Sequence, residues 1–486
     1  MDLDFSDEQS MLREMVRGVC STSCSLEQVR ALEDDPTGYS PEFWQQLADL
    51  DLTGLMIPEE YGGSGMTALE GAVVYEELGR ALAPSPHFTS AVLSAGILLR
   101  AGSDEQKRSL LPQIAKGTAI ATTAWLEPKN GFGPKGVQVT AEADGDGFVL
   151  SGRKWHVPFA AAATHLVVLA RTGSAPTDVD LFLVDPKAEG VTLTQMFSIA
   201  SDCQYQVELD GVRVTAADRI GAAGSGWATW DAVLTEGLVF LAAQAIGGAA
   251  YALDITVQYS KDREQFDKPL GAFQAISHYL ADASTAVDGG RILVYEAAWS
   301  LANQRPVEGR DVATLAPMAK LFACQTFRDT TAMGEQVFGG VGFTLEYDIQ
   351  LYFRRAKATR LLLGDPRREL IALAGRLWDD PTTGPIPTSA YRPTNTGKAD
   401  AAANGAYAEP ERTGADTSDG GFDFRLDAPV QQFRTEIRAF LNEHVTEQVI
   451  EDAHHTGTIH DWGLHKKMAD AGWISAGWPS EFGGQG

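Results

Sequence analysis

Val137-Gln-Val-Thr-Ala-Glu-Ala-Asp144-Gly145-Asp146-Gly147-Phe-Val-Leu150 alternates apolar and polar residues, turns on Asp-Gly-Asp-Gly, and resumes as an apolar run. A period of two marks a strand with one buried face, and Asp-Gly supplies the positive-φ residues that a tight hairpin needs. Short runs of the same kind follow at 165–170, 179–184, 191–193 and 205–209, and Asp210-Gly211 reads as a further tight turn. Residues 119–225 are therefore expected to form a small antiparallel β domain.

On both sides of this block the period is helical. Upstream, Leu12, Met15, Val16 and Val19 recur three and four residues apart, and the runs 72–83 and 91–101 repeat the pattern. Pro84 and Pro86 separate those runs, because proline cannot continue a helix and biases its predecessor away from one. Downstream, four long amphipathic segments span about 227–259, 272–303, 310–335 and 346–378, the last interrupted at Gly364. The fold class that follows is α+β and multidomain: an N-terminal helical domain (1–118), a central antiparallel β domain (119–225) and a C-terminal four-helix bundle (226–378).

Composition narrows the partners. The chain has 65 acidic against 39 basic residues and a formal charge of −26. Phosphate backbones demand clustered Lys and Arg, so no nucleic-acid partner is expected. The opening residues lack a basic segment followed by an apolar one, which argues against a secretory signal. The most apolar stretch, 233–252, is broken by Glu236 and several glycines and reads as a buried bundle helix, not a membrane span. Four cysteines in this length suit reduced thiols in a cytoplasm. Cys20 and Cys24 stand one helical turn apart, but no second pair at zinc spacing accompanies them, and they read as packed or exposed thiols.

Residues 379–421 are rich in Pro, Gly, Thr, Ala and Asp without apolar periodicity, and read as a disordered linker. After it, Met468–Gly486 (MADAGWISAGWPSEFGGQG) repeats Leu47–Gly65 (LADLDLTGLMIPEEYGGSG) at one fixed offset. Both copies follow an Asp-Phe pair (Asp4-Phe5, Asp423-Phe424) and an amphipathic helix. Such a self-repeat indicates a tandem of homologous units. Residues 422–486 are expected to form a truncated second N-terminal helical domain within a longer fusion.

Three motifs carry the chemistry. Gly131-Phe-Gly133-Pro-Lys-Gly136 fits G-x-G-x-x-G in form, but a strand pattern follows it where a dinucleotide fingerprint requires a helix, so a loop is expected. Arg263-Glu-Gln-Phe266 closes a long helix, and Gln336-Val-Phe-Gly339-Gly340 closes another. Taken singly, they read as a dipole-complementing arginine and a glycine C-cap. In this order, with Glu60-Tyr-Gly-Gly63, Trp125-Leu-Glu127-Pro128 and Leu351-Tyr-Phe-Arg354-Arg-Ala-Lys357, the set resembles the acyl-CoA dehydrogenase family over nearly all of residues 1–378.

The resemblance implies FAD held at a subunit interface and not on a Rossmann fold. It places Arg263, Phe266, Gln336, Gly339 and Gly340 against the ADP half of a neighbouring unit's FAD. A guanidinium fork suits a diphosphate, and paired glycines let backbone N–H groups approach the cofactor. The flavin-side loop departs from the family's Thr-Glu-Pro-x-x-Gly-Ser-Asp: Leu126, Phe132 and Gly133 stand at the Thr, Ser and Asp positions. Trp155 falls near another flavin neighbour, and a buried β-domain tryptophan explains it equally well.

The reaction that the resemblance implies removes the α-proton of an acyl-CoA thioester with a carboxylate while hydride leaves the β-carbon for flavin. Alignment through Arg355-Ala-Lys357 puts Leu363 at the usual Glu position. The alternative position in some relatives, on the first bundle helix, falls on Gly237, one residue after Glu236, and one residue turns a side chain about 100° around a helix. Glu236 and Asp365 remain as substitute bases, the latter also readable as a helix N-cap ahead of Pro366.

Two expectations follow. In the first, an enzyme of lipid metabolism oxidises an acyl-CoA to a 2-enoyl-CoA and passes electrons to an electron-transfer flavoprotein, this unit supporting a catalytic homologous unit, as in actinobacterial-type enzymes with unlike halves. In the second, the chain is a non-catalytic structural subunit completing a partner's FAD site. An oxygen-reacting flavin oxidase is a third choice. An interface-bound FAD requires self-association or an equivalent pairing.

Overall fold

The structure, a computed structural model, describes residues 5–128, 131–307, 309–379, 428–446, 462–471 and 473. Two compact units, 1–397 and 398–486, divide the chain.

The first unit opens with helices α1 (Asp7–Ser23), α2 (Leu26–Ala31), α3 (Pro41–Asp49), α4 (Ala68–Arg80), α5 (Ala95–Ala101) and α6 (Asp104–Ala115). Their starts are chemically marked. Ser6, Ser25, Thr67 and Ser103 form capping boxes, and Ser40 caps α3 ahead of Pro41. A π-helical turn at Phe88–Ser94 leads into α5.

The β domain contains β1 (Ala121–Ala124), β2 (Thr140–Asp144), β3 (Gly147–Pro158), β4 (His165–Arg171), β5 (Val179–Val184), β6 (Val191–Met196), β7 (Gln204–Thr215) and β8 (Arg219–Ile220). The sheet order is β6-β7-β3-β2-β4-β5-β8. The pairings are antiparallel except that β1 lies parallel to β4 and Thr140 of β2 bridges Arg171 of β4 in parallel. The Asp-Gly-Asp-Gly hairpin forms as expected, with Asp144 opposite Gly147 and Gly145 at φ 63°. The expected turn at Asp210-Gly211 does not form. β7 continues through it, and the two residues bulge where the register shifts opposite Ser151. Gly211 takes φ 66° and its N–H donates to Ser151 Oγ at 3.3 Å. Twelve-residue β3 pairs with β7 on both sides of the bulge, so the chain bends where a shorter partner strand would have let it reverse.

The helical half contains α7 (Gly226–Asp262), α8 (Gln274–Asn303), α9 (Val312–Phe338), α10 (Ile349–Thr359) and α11 (Pro366–Ala374). Between α7 and α8 lies a minimal hairpin of β9 (Glu264–Gln265) and β10 (Lys268–Pro269). Among the described residues α7 alone is long and apolar enough to cross a membrane, but 72% of its most apolar window is buried in the protein, so it is a core helix. Its glycines have a packing reason. A Cβ on Gly247 would lie 1.8 Å from the Glu76 carbonyl oxygen, and one on Gly79 of α4 would lie 2.0 Å from the Gln244 carbonyl oxygen, so α4 and α7 touch backbone to backbone.

Ion pairs tie α4 to its neighbours. Arg17 of α1 grips Glu77 through two bonds at 2.7 and 2.8 Å, while Glu76 accepts from Arg291 and Tyr295 of α8, each at 2.8 Å. The fourth bundle segment is two helices. The chain leaves α10 after Thr359, and Asp365 restarts it by accepting from the N–H groups of Arg367 and Arg368.

In the second unit the described helices are α12 (Ala428–His444) and α13 (Trp462–Asp470). Both starts lie 421 residues after those of α1 and α3 (428 against 7, 462 against 41), and the lengths match, 17 and 9 residues. Phe433 and Phe440 of α12 pack edge-on against Trp473. The expected linker, except for residue 379, lies outside the described residues.

Candidate active site

The turn between α10 and α11 is built around Leu363. This leucine is buried at 7% exposure and sits at φ 60°, a left-handed conformation that a branched side chain rarely adopts. Its neighbours hold it there. Lys320 of α9 is fully buried and its ammonium donates to both oxygens of Glu369 (3.0 and 2.9 Å) and to the carbonyls of Arg360 (3.2 Å) and Gly364 (3.5 Å). A Cβ on Gly364 would fall 2.1 Å from Glu369 Oε1, so only glycine fits beside that carboxylate.

Leu363 points at the second position of interest. A Cβ built on Gly237 of α7 would lie 3.5 Å from Leu363 Cδ1, 2.9 Å from Leu93 Cδ2 and 3.6 Å from Phe88 Cζ. The usual base position and its alternative are thus neighbours in space, and both are carbon. The π-helical turn supplies the other walls. Glu236, next along α7, instead forms an ion pair with Arg100 of α5; burial pushes its carboxyl above the usual range and Arg100 opposes that. Asp365 caps α11.

The loop after β1 is fixed by a buried ion pair. Glu127 accepts from Lys154 of β3 at 2.6 Å and from the N–H groups of Gln138 and Val139 at 2.9 and 3.0 Å. Burial pulls the Lys154 ammonium down to about 8, against the favourable pull of Glu127. Leu126 accepts from the Trp155 N–H at 2.9 Å, which joins the loop to β3, and the Trp155 indole donates to Gln206 at 2.9 Å. Phe132 packs on Trp125 (ring centres 6.0 Å apart), and Trp125 packs on buried Trp230 of α7 (5.1 Å). An aromatic contact therefore occupies the place of the expected hydroxyl. The Gly131–Gly136 segment is a loop with a short 3₁₀ turn at Pro134–Gly136, and no helix follows it.

The remaining site residues gather at the other end of the bundle. Tyr259 near the end of α7 stacks on Phe338 at the end of α9, with centres 4.0 Å apart and planes 14° apart. That contact brings Arg263 and Phe266 to the same end as Gln336, Gly339 and Gly340. Arg263 is exposed, and among the described residues no carboxylate pairs with its guanidinium. Phe266 forms the β9–β10 turn with Asp267, both left-handed, and is 86% exposed. Gln336 is exposed. Gly339 adopts φ 65°, ψ −138°, a glycine conformation, and a Cβ on Gly339 or Gly340 would meet nothing within 4 Å. Free guanidinium, open glycine backbone and an exposed aromatic fit the ADP half of FAD. The β-domain loop, with Leu126, Phe132 and Gly133, offers no side-chain hydroxyl or carboxylate at those positions for the flavin half.

Sequence reasoning missed Lys154, Lys320 and the π-helical wall. Lys154 did leave a signal, a cation at an inward register between Leu150 and Val157. Phe88 and Leu93 left none, because only the tertiary fold brings them to Gly237.

Three comparisons bear on this geometry. The family models described as acyl-CoA dehydrogenase C-terminal and middle domains match residues 224–377 and 122–212. The N-terminal domain model matches twice, at 6–118 and at 428–486. The probable acyl-CoA dehydrogenase YngJ of Bacillus subtilis is 31% identical over 386 residues, covering 78% of this chain and 100% of that protein. The acyl-CoA dehydrogenase IpdE2 of Mycolicibacterium smegmatis is 32% identical over 374 residues, covering 77% and 100%. Among solved structures, the ChsE4-ChsE5 complex from Mycobacterium tuberculosis provides a chain with TM-score 0.71 and 29% identity, covering 78% of this chain and 100% of that one.

Proposed function

The chain belongs to the acyl-CoA dehydrogenase family of FAD-dependent oxidoreductases, and we propose that its first unit supports a catalytic homologous unit without performing the chemistry itself. The reaction of the assembly is α,β-dehydrogenation of an acyl-CoA to a 2-enoyl-CoA, with electrons passed to an electron-transfer flavoprotein. Bound FAD supplies the hydride acceptor. This chain's part is to hold the ADP half across an interface with Arg263, Phe266, Gln336, Gly339 and Gly340.

One observation carries the reading: the two base positions meet, and they are Leu363 and Gly237. A carbon wall cannot take an acidic α-proton, and the family's chemistry requires a carboxylate there. The catalytic unit would be homologous, in tandem or as a separate chain. Support comes from the second match to the N-terminal domain and from the similarity to a chain of the ChsE4-ChsE5 complex. The free, buried cysteines suit a reducing compartment, and we place the protein in the cytoplasm.

The test is anaerobic flavin bleaching. The chain alone, loaded with FAD and given acyl-CoA, should keep its oxidised spectrum, and bleaching there would defeat the proposal. In an assembly with its catalytic unit, Arg263→Ala should lower FAD content about tenfold, the scale of one charge-assisted contact, without shifting the apoprotein's melting temperature.

A further inference from the structure

We propose that the groove between α9 and the start of α11 binds a small organic anion. The groove encloses about 220 Å³, below the roughly 300–1,000 Å³ of a drug-sized site. Leu321, Pro366 and Leu370 give it an apolar lining, Gln325, Arg360 and Arg367 a polar one, and no carboxylate lines it; the buried Lys320 ammonium beside it is already held by Glu369.

Two unpartnered guanidinium groups on one groove mark it out. Many arginines of this acidic chain are instead paired with carboxylates. Arg13, Arg17, Arg80, Arg100, Arg291 and Arg354 are all ion-paired, for example. Arg360 and Arg367 line one groove and, among the described residues, neither guanidinium has an ion pair or hydrogen bond. A planar guanidinium fork matches the oxygens of a carboxylate or a phosphate. The apolar lining, with Leu370 60% exposed, adds room for a short hydrocarbon body. Cys324 completes the wall as a neutral thiol, pushed up to about 12 by burial.

The groove is separate from the FAD-facing features. Arg368, one residue from Arg367, is the side chain that approaches the flavin-side loop, 3.3 Å from where a Cβ on Gly131 would stand. Successive helical residues diverge by about 100°, so Arg367 and Leu370 present another face of α11.

Binding there would reach the Leu363 turn. Arg360 precedes the turn and Arg367 follows it, while Lys320 already holds the carbonyls of Arg360 and Gly364. An anion gripped by both arginines therefore ties the two ends of the turn together.

Calorimetry on the whole chain tests this with hexanoate and inorganic phosphate as probes and hexanol as the uncharged control. We expect saturable binding of at least one anion and none of hexanol. The double variant Arg360→Gln/Arg367→Gln should weaken that binding at least tenfold with the melting temperature of the free protein unchanged. Amide exchange over 361–365 should slow when the anion is bound. Binding of phosphate alone supports the site and identifies a phosphate head; binding of hexanoate, weakened by Leu370→Gln, identifies a carboxylate with an apolar body. The proposal is overturned if neither anion binds, if the double variant binds as the parent does, or if hexanol binds as well as hexanoate.

Discussion

Leu363 Cδ1 stands 3.5 Å from the place a Cβ would take on Gly237, so the two positions from which a base could act share one apolar contact. A side chain at Gly237 would meet Leu93 and Phe88 as well as Leu363, so packing closes that position.

Leu363→Glu should therefore destabilise the unit without creating an oxidase or dehydrogenase. An unpaired carboxylate buried there costs on the order of several kcal/mol. Burial raises its pKa, so the folded state holds the proton more tightly than the unfolded one. The deficit in melting temperature should be largest at pH 7 to 8 and shrink as the pH is lowered toward 5. Thermal melts across that range check the sign, and an unchanged flavin spectrum with acyl-CoA checks the chemistry.

Gly247→Ala places a methyl 1.8 Å from the Glu76 carbonyl oxygen, where no side chain can swing away. The expected loss is about 1–3 kcal/mol or more from overpacking, despite the helix-propensity gain of about 1 kcal/mol. Gly237→Ala makes a useful contrast: its nearest obstacle is a leucine methyl, which can rotate. Urea unfolding of the two variants should rank Gly247→Ala well below Gly237→Ala.

Glu127→Gln leaves Lys154 buried without its counter-charge. Removing one partner of such a pair costs about 3–5 kcal/mol, whereas Glu127→Gln with Lys154→Met should cost less. Burial lowers the Lys154 ammonium to about 8 while Glu127 raises it, so removing the Glu127 charge lowers it further and the folded variant sheds the proton before the unfolded chain does. The single variant should recover stability between pH 8 and 10, and the double variant should not change over that range.

His87 titrates the N-terminal core. Its Nε2–H donates to the Leu52 carbonyl at 2.9 Å, which leaves Nδ1 to accept from the Tyr75 hydroxyl at 2.6 Å, so the ring is neutral. Burial lowers it from 6.5 to about 4, and the bond to Leu52 opposes the shift. The unfolded chain then binds the extra proton between those values. Stability is full above pH 6.5 and falls as the pH drops toward 4, by up to about 3 kcal/mol. His87→Gln should flatten that slope in pH-dependent denaturation.

Much of this fold could be read from local pattern. The hairpin at Asp144–Gly147 and the long helical segments follow from periodicity and turn chemistry, which act over a few residues. Asp210-Gly211 carries the same turn signal as Asp144-Gly145 and yet bulges, because the outcome depends on the length of β3, far away in sequence. The fold also decides the meaning of the site. Leu363 and Gly237 read as separate substitutions along the chain, 126 positions apart (363 against 237), and only the packing of α7 against the α10–α11 turn makes them one feature. The left-handed Leu363, the Lys320 hub and the π-helical wall are tertiary facts with no local signature.

The matched spacing of α1 with α12 and α3 with α13 has a consequence for biosynthesis. A polypeptide that carries the same helix set twice gives each docking face two suitors, and repeated modules are prone to exchange partners and misassemble. Synthesis in order favours one outcome: Arg13 and Arg17 of α1 can reach Glu76 and Glu77 of α4 before the later twin of α1 exists.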